Sequence, residues 1–204
     1  MLLKLTLNSL YARLLTVSMT IFAISLSLML YLSVEKLRSS AYTSFTNTIS
    51  QTDLIVGSRT GSVQLLLYSI FRIGNATNNI TWESYQDIIE KDEVEWAVPI
   101  SLGDSHKGYR VMGTNKDFFK HYKYRGNKSL TIKDGKYFSD LYDVVLGFGV
   151  AEKLDYQINS SIIVSHGLKS FTDHDDQPFK VSGILAKTGT PVDNTVIVSL
   201  EAIE

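Results

Sequence analysis

The chain has 204 residues, of which 44% are hydrophobic and 20% are charged, and its 20 Lys and Arg nearly balance its 21 Asp and Glu. This length suits one domain with or without an appendage, and a net charge of −1 gives no general attraction to nucleic acid or to anionic surfaces. Because the sequence contains no cysteine, disulfides, thiol catalysis and cysteine-ligated metals are excluded.

An uncharged apolar run extends from residue 14 to residue 34. At 1.5 Å per residue a helix of this length spans roughly 30 Å, the thickness of the hydrocarbon core of a bilayer. A cleaved signal peptide is the alternative, with Ser39 and Ala41 resembling a cleavage site, but its apolar region is usually about 7–15 residues long. The run therefore predicts one uncleaved transmembrane helix, which with its amphipathic start occupies residues 1–38.

The charges around this helix indicate its orientation only weakly. Lys4 and Arg13 precede the apolar run, whereas Lys36 and Arg38 follow it. Since a long C-terminal domain is translocated largely regardless of charge, we expect the N-terminus in the cytoplasm and the main domain outside. The first 13 residues carry leucines at helical spacing, which predicts a short amphipathic helix at the membrane interface.

Small and hydroxyl-bearing residues form a stripe along the predicted transmembrane helix. At 100° per residue, Thr16, Thr20, Ala23 and Ser27 fall within a sector roughly 60° wide. Such a face allows close approach of another membrane helix. The alternative is that these hydroxyls bond to their own backbone, as Ser and Thr commonly do in membranes.

Residues 39–204 have the pattern of a folded domain outside the membrane. Helical periodicity predicts a helix capped by Ser62 and ended by Gly74, and a second helix beginning at Thr81. The residues of the first helix expected to face the core are Val63, Leu66, Leu67, Ile70 and Phe71. Shorter helices are predicted over 117–122 and 148–154. Apolar runs predict strands over 52–56, 94–102, 109–113, 129–132, 143–147, 161–166, 179–185 and 195–200. Helices followed by closely spaced strands favour an α+β fold.

One loop carries the residues best suited to bind a metal. His166, His174 and Asp175 lie within ten residues, and imidazole and carboxylate groups can ligate zinc. The alternative, which we favour, is a solvated acidic loop, because no HExxH motif or helical pair of histidines is present. No paired carboxylates or nucleophile elbow appear either, so we expect no catalytic residues, no cofactor and no enzymatic activity in this chain.

Several sequence blocks together resemble the N-terminal part of MacB/FtsX/LolC-type ABC transporter permeases. They cover most of the chain in the expected order. The blocks are LNSLYAR at 7–13, DLIVG at 53–57, QLLLYSIF at 64–71, VPISLGDSHKGYRVMGT at 98–114, DGKYF at 134–138, VVLGFGVAEKL at 144–154 and FKVSGILAKTGTPVD at 179–193. Where the family usually has a glycine before the strand near Ser161, this chain has QINS at 157–160, in which Asn159 can adopt a left-handed turn.

The resemblance implies a domain organisation. One transmembrane helix is followed by a MacB-like periplasmic core domain of mixed α/β structure over residues 39–204. A Porter-like layer is expected over about 39–109 and 179–204, with a strand-rich, Sabre-like insertion over about 110–178. Related permeases carry three further membrane helices after this domain, so the chain is expected to represent the N-terminal part of a permease.

The resemblance also implies a function and a set of partners. Such permeases lie in the bacterial inner membrane, and a cytoplasmic ABC ATPase dimer drives the motion of their membrane helices. That motion reaches the periplasmic domain in export, extraction or envelope maintenance. The expected partners are this ATPase, the remaining permease helices or a second permease copy, and a periplasmic or outer-membrane protein. The alternative function is a single-span, membrane-anchored module that binds a ligand or metal as a sensor.

Overall fold

The computed structural model describes residues 11–75, 78–166 and 178–203. The chain divides into two compact units, residues 1–45 and residues 46–204, which we call the helical unit and the sheet unit. The amphipathic helix predicted over 1–13 lies largely outside the described residues. The predicted α+β class with one apolar helix at the N-terminal end is confirmed.

Helix α1 extends from Leu14 to Thr48 and contains 35 residues. Its segment Leu14–Ser44 is long and apolar enough to cross a membrane, and the side chains of its apolar run are not buried within the chain. The helix continues well past residue 34 because the first glycine is Gly57 and the first proline is Pro99, so neither helix-breaking residue type interrupts it.

The segment after α1 differs from the sequence prediction. The strand predicted at 52–56 is wrong, because these residues have no pairing partner and the side chains of Leu54 and Val56 are 75% and 46% exposed. Helix α2 (Ser62–Ser69) is present, but Gly61 is its N-cap and no side chain caps it. Of the residues predicted to face the core, Val63 and Leu67 are exposed, Leu66 and Phe71 are half-buried, and Ile70 is buried, so the predicted core face is confirmed only in part.

Helix α3 (Trp82–Ile89) confirms the second predicted helix. The Thr81 hydroxyl caps it by accepting a hydrogen bond from the backbone N–H of Ser84 at 3.2 Å. Two shorter helices, α4 (Asp117–His121) and α5 (Phe148–Leu154), also lie where helical periodicity predicts them. Single 3-10 turns follow at Pro191–Asn194 and Leu200–Ala202.

The strands form one large mixed sheet and one separate hairpin. The large sheet has the order β6-β10-β7-β11-β3-β2-β9, with β1 also paired to β3 and β8 to β10, and the hairpin consists of β4 and β5. Pairs β10–β7 and β11–β3 are parallel, and the other pairs are antiparallel. The strands are β1 (Ile100–Ser101), β2 (Asp104–His106), β3 (Tyr109–Thr114), β4 (Lys123–Tyr124), β5 (Lys128–Ser129), β6 (Ile132–Gly135), β7 (Asp143–Leu146), β8 (Ser161–Ile162), β9 (Ser165–His166), β10 (Phe179–Leu185) and β11 (Thr195–Ser199).

Several strands are shorter than their apolar runs predicted. Only Ile100–Ser101 of the run 94–102 pairs, and the run 161–166 is divided between β8 and β9, which pair with different strands. The run 129–132 likewise splits between β5 and β6. In each case the predicted strand is shortened or divided where its pairing partner ends or changes. Apolar composition does not specify the partner, so it does not show where a strand stops.

Both faces of the central sheet are covered. Along β7 the side chains of Val144 and Leu146 enter one apolar cluster and Val145 enters the other. Helix α5 packs in the first cluster and α4 in the second. Burial on two faces explains why β7 and β11 are apolar at nearly every position instead of alternating.

The turn before β8 confirms one detail of the sequence analysis. Asn159 has φ 71°, the left-handed conformation expected where the related permeases have a glycine. Its backbone N–H donates to the carbonyl of Val181 at 2.8 Å. The proposed division into a Porter-like layer and a Sabre-like insertion stays a prediction.

Candidate functional site: the end of the long helix

The last residues of α1 belong to the sheet unit and form hydrogen bonds with other segments of that unit. The Tyr122 hydroxyl donates a hydrogen bond to the backbone carbonyl of Thr48. The backbone N–H of Arg125 donates to the carbonyl of Asn47 at 2.9 Å, and that of Ser50 donates to the carbonyl of Lys123 at 3.0 Å. We call the contacting segments 47–50, 122–126 and 188–193 the junction.

The β4–β5 hairpin supplies one side of the junction. Arg125 and Gly126 have φ 47° and 86°, which reverses the chain tightly between Tyr124 and Lys128. This turn presents two backbone N–H groups to the helix end, because Gly126 also donates to the hydroxyl of Ser50 at 3.1 Å. The contacts are mainly backbone to backbone, so their strength depends little on side-chain identity.

The loop between β10 and β11 supplies the other side. The Asp193 carboxylate accepts hydrogen bonds from the backbone N–H and hydroxyl of Thr188, at 2.8 and 2.7 Å, and from the N–H of Gly189 at 2.8 Å. The hydroxyl oxygens of Thr188 and Thr190 are 2.8 Å apart, and that of Thr190 is 3.3 Å from the Tyr122 hydroxyl. Through these groups the end of α1 is connected to central strand β11.

Electrostatics keep Tyr122 in the protonated form that this junction requires. Burial raises the pKa of Tyr122, and although the Thr190 hydrogen bond and the charge of Arg72 act in the opposite direction, the net shift is upward. The phenol therefore stays neutral at physiological pH and can donate its proton to the Thr48 carbonyl. The junction is a partly buried hydrogen-bonded connection, a geometry suited to holding segments together.

The helix-packing residues predicted from the sequence all lie on α1. Thr16, Thr20, Ala23 and Ser27 are exposed in the single chain. The Thr20 hydroxyl donates to the carbonyl of Thr16 at 2.9 Å, the backbone bond that the alternative interpretation expected for such residues. That bond does not decide whether another helix packs against this stripe.

The metal candidates are only partly within the described residues. His166 is in β9, where its Cα lies opposite that of Asp104 in β2, whereas His174 and Asp175 are outside the described residues. Within 11–75, 78–166 and 178–203, no group of three or more metal-ligating residues is assembled. A metal site in this loop stays a prediction.

A histidine that the sequence analysis did not single out lies close to that strand. His106 is buried, with Nδ1 in a hydrogen bond to the Ile163 carbonyl and Nε2 2.9 Å from the Tyr156 hydroxyl. Burial lowers the pKa of His106, and the charge of Lys107 acts in the same direction. Because both ring nitrogens already have partners, this imidazole joins the sheet edge to the turn after α5 and is not available as a ligand.

The sequence analysis also missed the junction residues. Thr48 contributes its carbonyl group, which every residue has, and Tyr122 has no motif around it. The clearest available signal was the cluster of hydroxyl and carboxyl residues at 188–193, which lies within one of the blocks that resemble the permease family. Such a cluster commonly forms a self-bonded loop.

A helix long and apolar enough to cross a membrane, together with a mixed sheet covered by short helices, indicates an α+β domain with a candidate membrane anchor. The model of the MacB-like periplasmic core domain matches residues 14–204, so the chain belongs to that family, whose members are components of ABC transporter permeases. No curated protein sequence matches this chain.

Two solved structures are similar to the chain. The first is the periplasmic region of MacB from Actinobacillus actinomycetemcomitans, with 13% identity and a TM-score of 0.42, covering 61% of this chain and 57% of that one. The second is a domain of a protein assigned as a permease from Porphyromonas gingivalis, with 11% identity and a TM-score of 0.39, covering 58% of this chain and 50% of that one. The chain thus spans between half and three fifths of the length of these relatives.

Proposed function

We propose that this chain is the N-terminal part of a permease in an ABC transporter complex and that the junction passes motion of α1 to the periplasmic domain. The observation that carries the proposal is the hydrogen bond from Tyr122 to the carbonyl of Thr48, the last residue of α1. A displacement of the helix end along its axis must either move the β4–β5 hairpin and the 188–193 loop or break the hydrogen bonds of the junction. Breaking the bond at Thr48, which is buried, costs about 1–3 kcal/mol.

The proposal includes a membrane topology and partners. Segment Leu14–Ser44 crosses the bacterial inner membrane with the N-terminus in the cytoplasm and residues 46–204 in the periplasm. ATP is hydrolysed by a separate cytoplasmic ATPase dimer, and the remaining permease helices or a second permease copy pack against α1 through the Thr16, Thr20, Ala23 and Ser27 face. The complex acts in export, extraction or envelope maintenance, with a periplasmic or outer-membrane partner on the outside.

The experiment measures motion at the junction in the assembled complex. Tagged protein is purified from bacterial membranes in mild detergent and assayed for vanadate-sensitive ATP hydrolysis. Spin labels at Ser40 and Asn127 then report the distance between α1 and the β4–β5 hairpin without nucleotide and after trapping with ATP and vanadate. We expect ATPase activity to co-purify with the tagged chain. Trapping should leave the distance between the labels at Ser40 and Asn127 unchanged. It should change the distance between a label at Ser40 and a label on the associated permease helices.

Matched variants separate coupling from assembly. In Tyr122→Phe the hairpin is less firmly held, so trapping should change the distance between Ser40 and Asn127. Tyr109→Phe removes a hydroxyl from β3 outside the junction and should behave like the parent protein. If the tagged chain purifies without any ATPase activity, the permease assignment fails and the anchored sensor module becomes the better account. If activity co-purifies but Tyr122→Phe has no effect, the coupling role of the junction is wrong.

A further inference from the structure

Arg72 carries a buried positive charge that no described acidic group neutralises. Its Nε and Nη1 atoms are buried without a hydrogen-bond partner, and Nη2 contacts the thioether sulfur of Met112 at 2.9 Å. Within the described ranges, ion pairs join Arg38 to Glu35 and Lys133 to Asp134, and neither pair includes Arg72. Since a sulfur is a weak acceptor, most of the donor capacity of this guanidinium is unused.

The backbone that places Arg72 is itself unfavourable. Arg72 has φ 61°, a left-handed conformation that is unfavourable for a residue with a side chain. Burying an unpaired charge is a second unfavourable feature. Two unfavourable features at one residue persist only where the surroundings impose them, and such sites are often functional.

A second buried arginine closes the surrounding loop. Arg110 of β3 donates from Nη2 to the carbonyl of Gly74 and to the Asn75 side-chain oxygen, the latter at 2.8 Å. Its guanidinium carbon is 6.0 Å from the centre of the Tyr68 ring. The electrostatic contribution of Tyr68 at Arg72 indicates that this phenol also lies near Arg72. Arg110 therefore ties the loop at 74–75 to strand β3, and both arginines interact with Tyr68.

The charge of Arg72 persists at physiological pH. Burial lowers the pKa of Arg72 from 12.5 to about 10, and the nearby Tyr122 and Tyr68 act in the opposite direction. At neutral pH almost every molecule therefore carries the proton. The site presents unused N–H donors and a full positive charge, which is the chemistry that attracts an anion.

The surroundings can make room for a small ligand. Met112 has a flexible, unbranched side chain that adapts to irregular space. The loop above the site is at the surface, where Ile73 is 60% exposed. An anion next to Nε and Nη1 therefore requires this loop and the Met112 side chain to move.

From this arrangement we infer that Arg72 forms a binding site for a small monovalent anion. The anion accepts hydrogen bonds from Nε and Nη1 of Arg72 and neutralises its charge. Free halide and a carboxylate group share this chemistry, and chloride and acetate are the probes that distinguish them. The inference is independent of the proposed transport function, because it depends only on groups within the sheet unit.

The test is thermal unfolding of the full chain in detergent at constant sodium concentration and ionic strength. Chloride and acetate are compared with gluconate, which is too bulky for the site. A ligand that binds the folded state alone raises the unfolding midpoint. We expect a midpoint several degrees higher in chloride, acetate or both than in gluconate; a rise in chloride alone indicates a halide site, and a rise in acetate alone a carboxylate site.

Variants identify the residue responsible. Arg72→Met removes the charge and should abolish the difference between anions, while exposed Arg59→Met should retain it. If Arg72→Met does not fold, Arg72→Lys keeps a charge without the Nε donor and should reduce the difference. In crystals soaked in bromide, an anomalous peak is expected beside Nε of Arg72. Equal midpoints in all three anions for the parent protein, or an unchanged difference in the Arg72 variants, would overturn the inference.

Discussion

The hydroxyl group of Tyr122 donates a hydrogen bond to the backbone carbonyl of Thr48, 74 residues earlier in the chain. Thr48 ends the long helix, and Tyr122 immediately follows α4 on the covered face of the sheet. One side chain thus joins the last residue of α1 to the core of the sheet unit. Hydrogen bonds from Tyr122 and from the hairpin backbone thereby hold residues 47–50 in place.

Removing this hydroxyl should destabilise the sheet unit. In Tyr122→Phe the Thr48 carbonyl loses its donor, and we expect the free energy of unfolding to fall by about 1–2 kcal/mol. The measurement is urea denaturation of the full chain in detergent, followed by near-ultraviolet circular dichroism. Tyr109→Phe is the control and should change the free energy by less. Equal losses in the two variants would show that the Tyr122 bond has no special importance.

A methyl group at Gly147 should be poorly tolerated. A Cβ atom there lies 2.1 Å from the Val192 carbonyl oxygen and 2.6 Å from that of Asp193, both of which are backbone atoms of the loop at the junction. We expect Gly147→Ala to lower the free energy of unfolding by about 1–3 kcal/mol, because the loop must move away. Gly103→Ala meets no atom within 4 Å and is the matched control. Comparable stability of the two variants in thermal unfolding would contradict the prediction.

Because of Asp143, the free energy of unfolding should depend on pH in the acid range. Burial acts to raise the pKa of Asp143, but hydrogen bonds from the backbone of Ser139 and Asp140 and from the Ser139 hydroxyl, together with the charge of Lys136, outweigh it, so the pKa is lowered. A carboxylate with a lowered pKa in the folded state contributes stability above its unfolded value of about 3.9. That contribution is lost as the pH falls through the folded pKa.

We therefore expect Asp143→Asn to show a smaller loss of stability than the parent protein when the pH is lowered from neutral to the acid range. Urea denaturation across a series of pH values measures this slope. Asp140→Asn keeps the backbone N–H that bonds to Asp143 and should retain the slope of the parent protein. Parallel pH profiles for the parent protein and Asp143→Asn would rule out Asp143 as the source.

The stripe on α1 should be required for association with other membrane helices. Replacing Ala23 and Ser27 by leucine fills the face on which close approach is proposed, so co-purification of the remaining permease helices should fall several-fold. The control replaces Ser18 and Ser25 by leucine as well. These two residues lie on the opposite side of the helix at 100° per residue. Affinity purification from detergent-solubilised membranes compares the two double variants. If both recover the same amount of partner, the packing hypothesis is wrong.

The sequence predicted the buried strands well because their environment determines their composition. β7 and β11 are covered on both faces, which requires continuous apolar side chains. The run at 52–56 has the same composition yet forms no strand, since pairing depends on a partner that the local sequence does not specify. The exposed Leu54 and Val56 show that apolar character alone does not establish burial.

The junction could not be predicted for a different reason. Its contacts join residues far apart in sequence, and on the helix side they use backbone carbonyls of Asn47 and Thr48. No residue type marks a carbonyl acceptor. Asp193 could be recognised as a loop-forming residue, but its position beside Tyr122 is determined by the parallel pairing of β11 with β3.

That parallel pairing has a consequence for the order in which the protein is made. Strand β3 (Tyr109–Thr114) is synthesised long before its neighbour β11 (Thr195–Ser199), and such non-local pairing is slow to form. The 188–193 loop is also late, so Tyr122, which bonds to the end of α1, cannot acquire its contact with Thr190 until nearly the whole sheet has emerged. A nascent chain halted before residue 195 therefore has an anchored helix attached to an unfinished sheet, in which one side of β3 is open to proteases and to pairing with another chain.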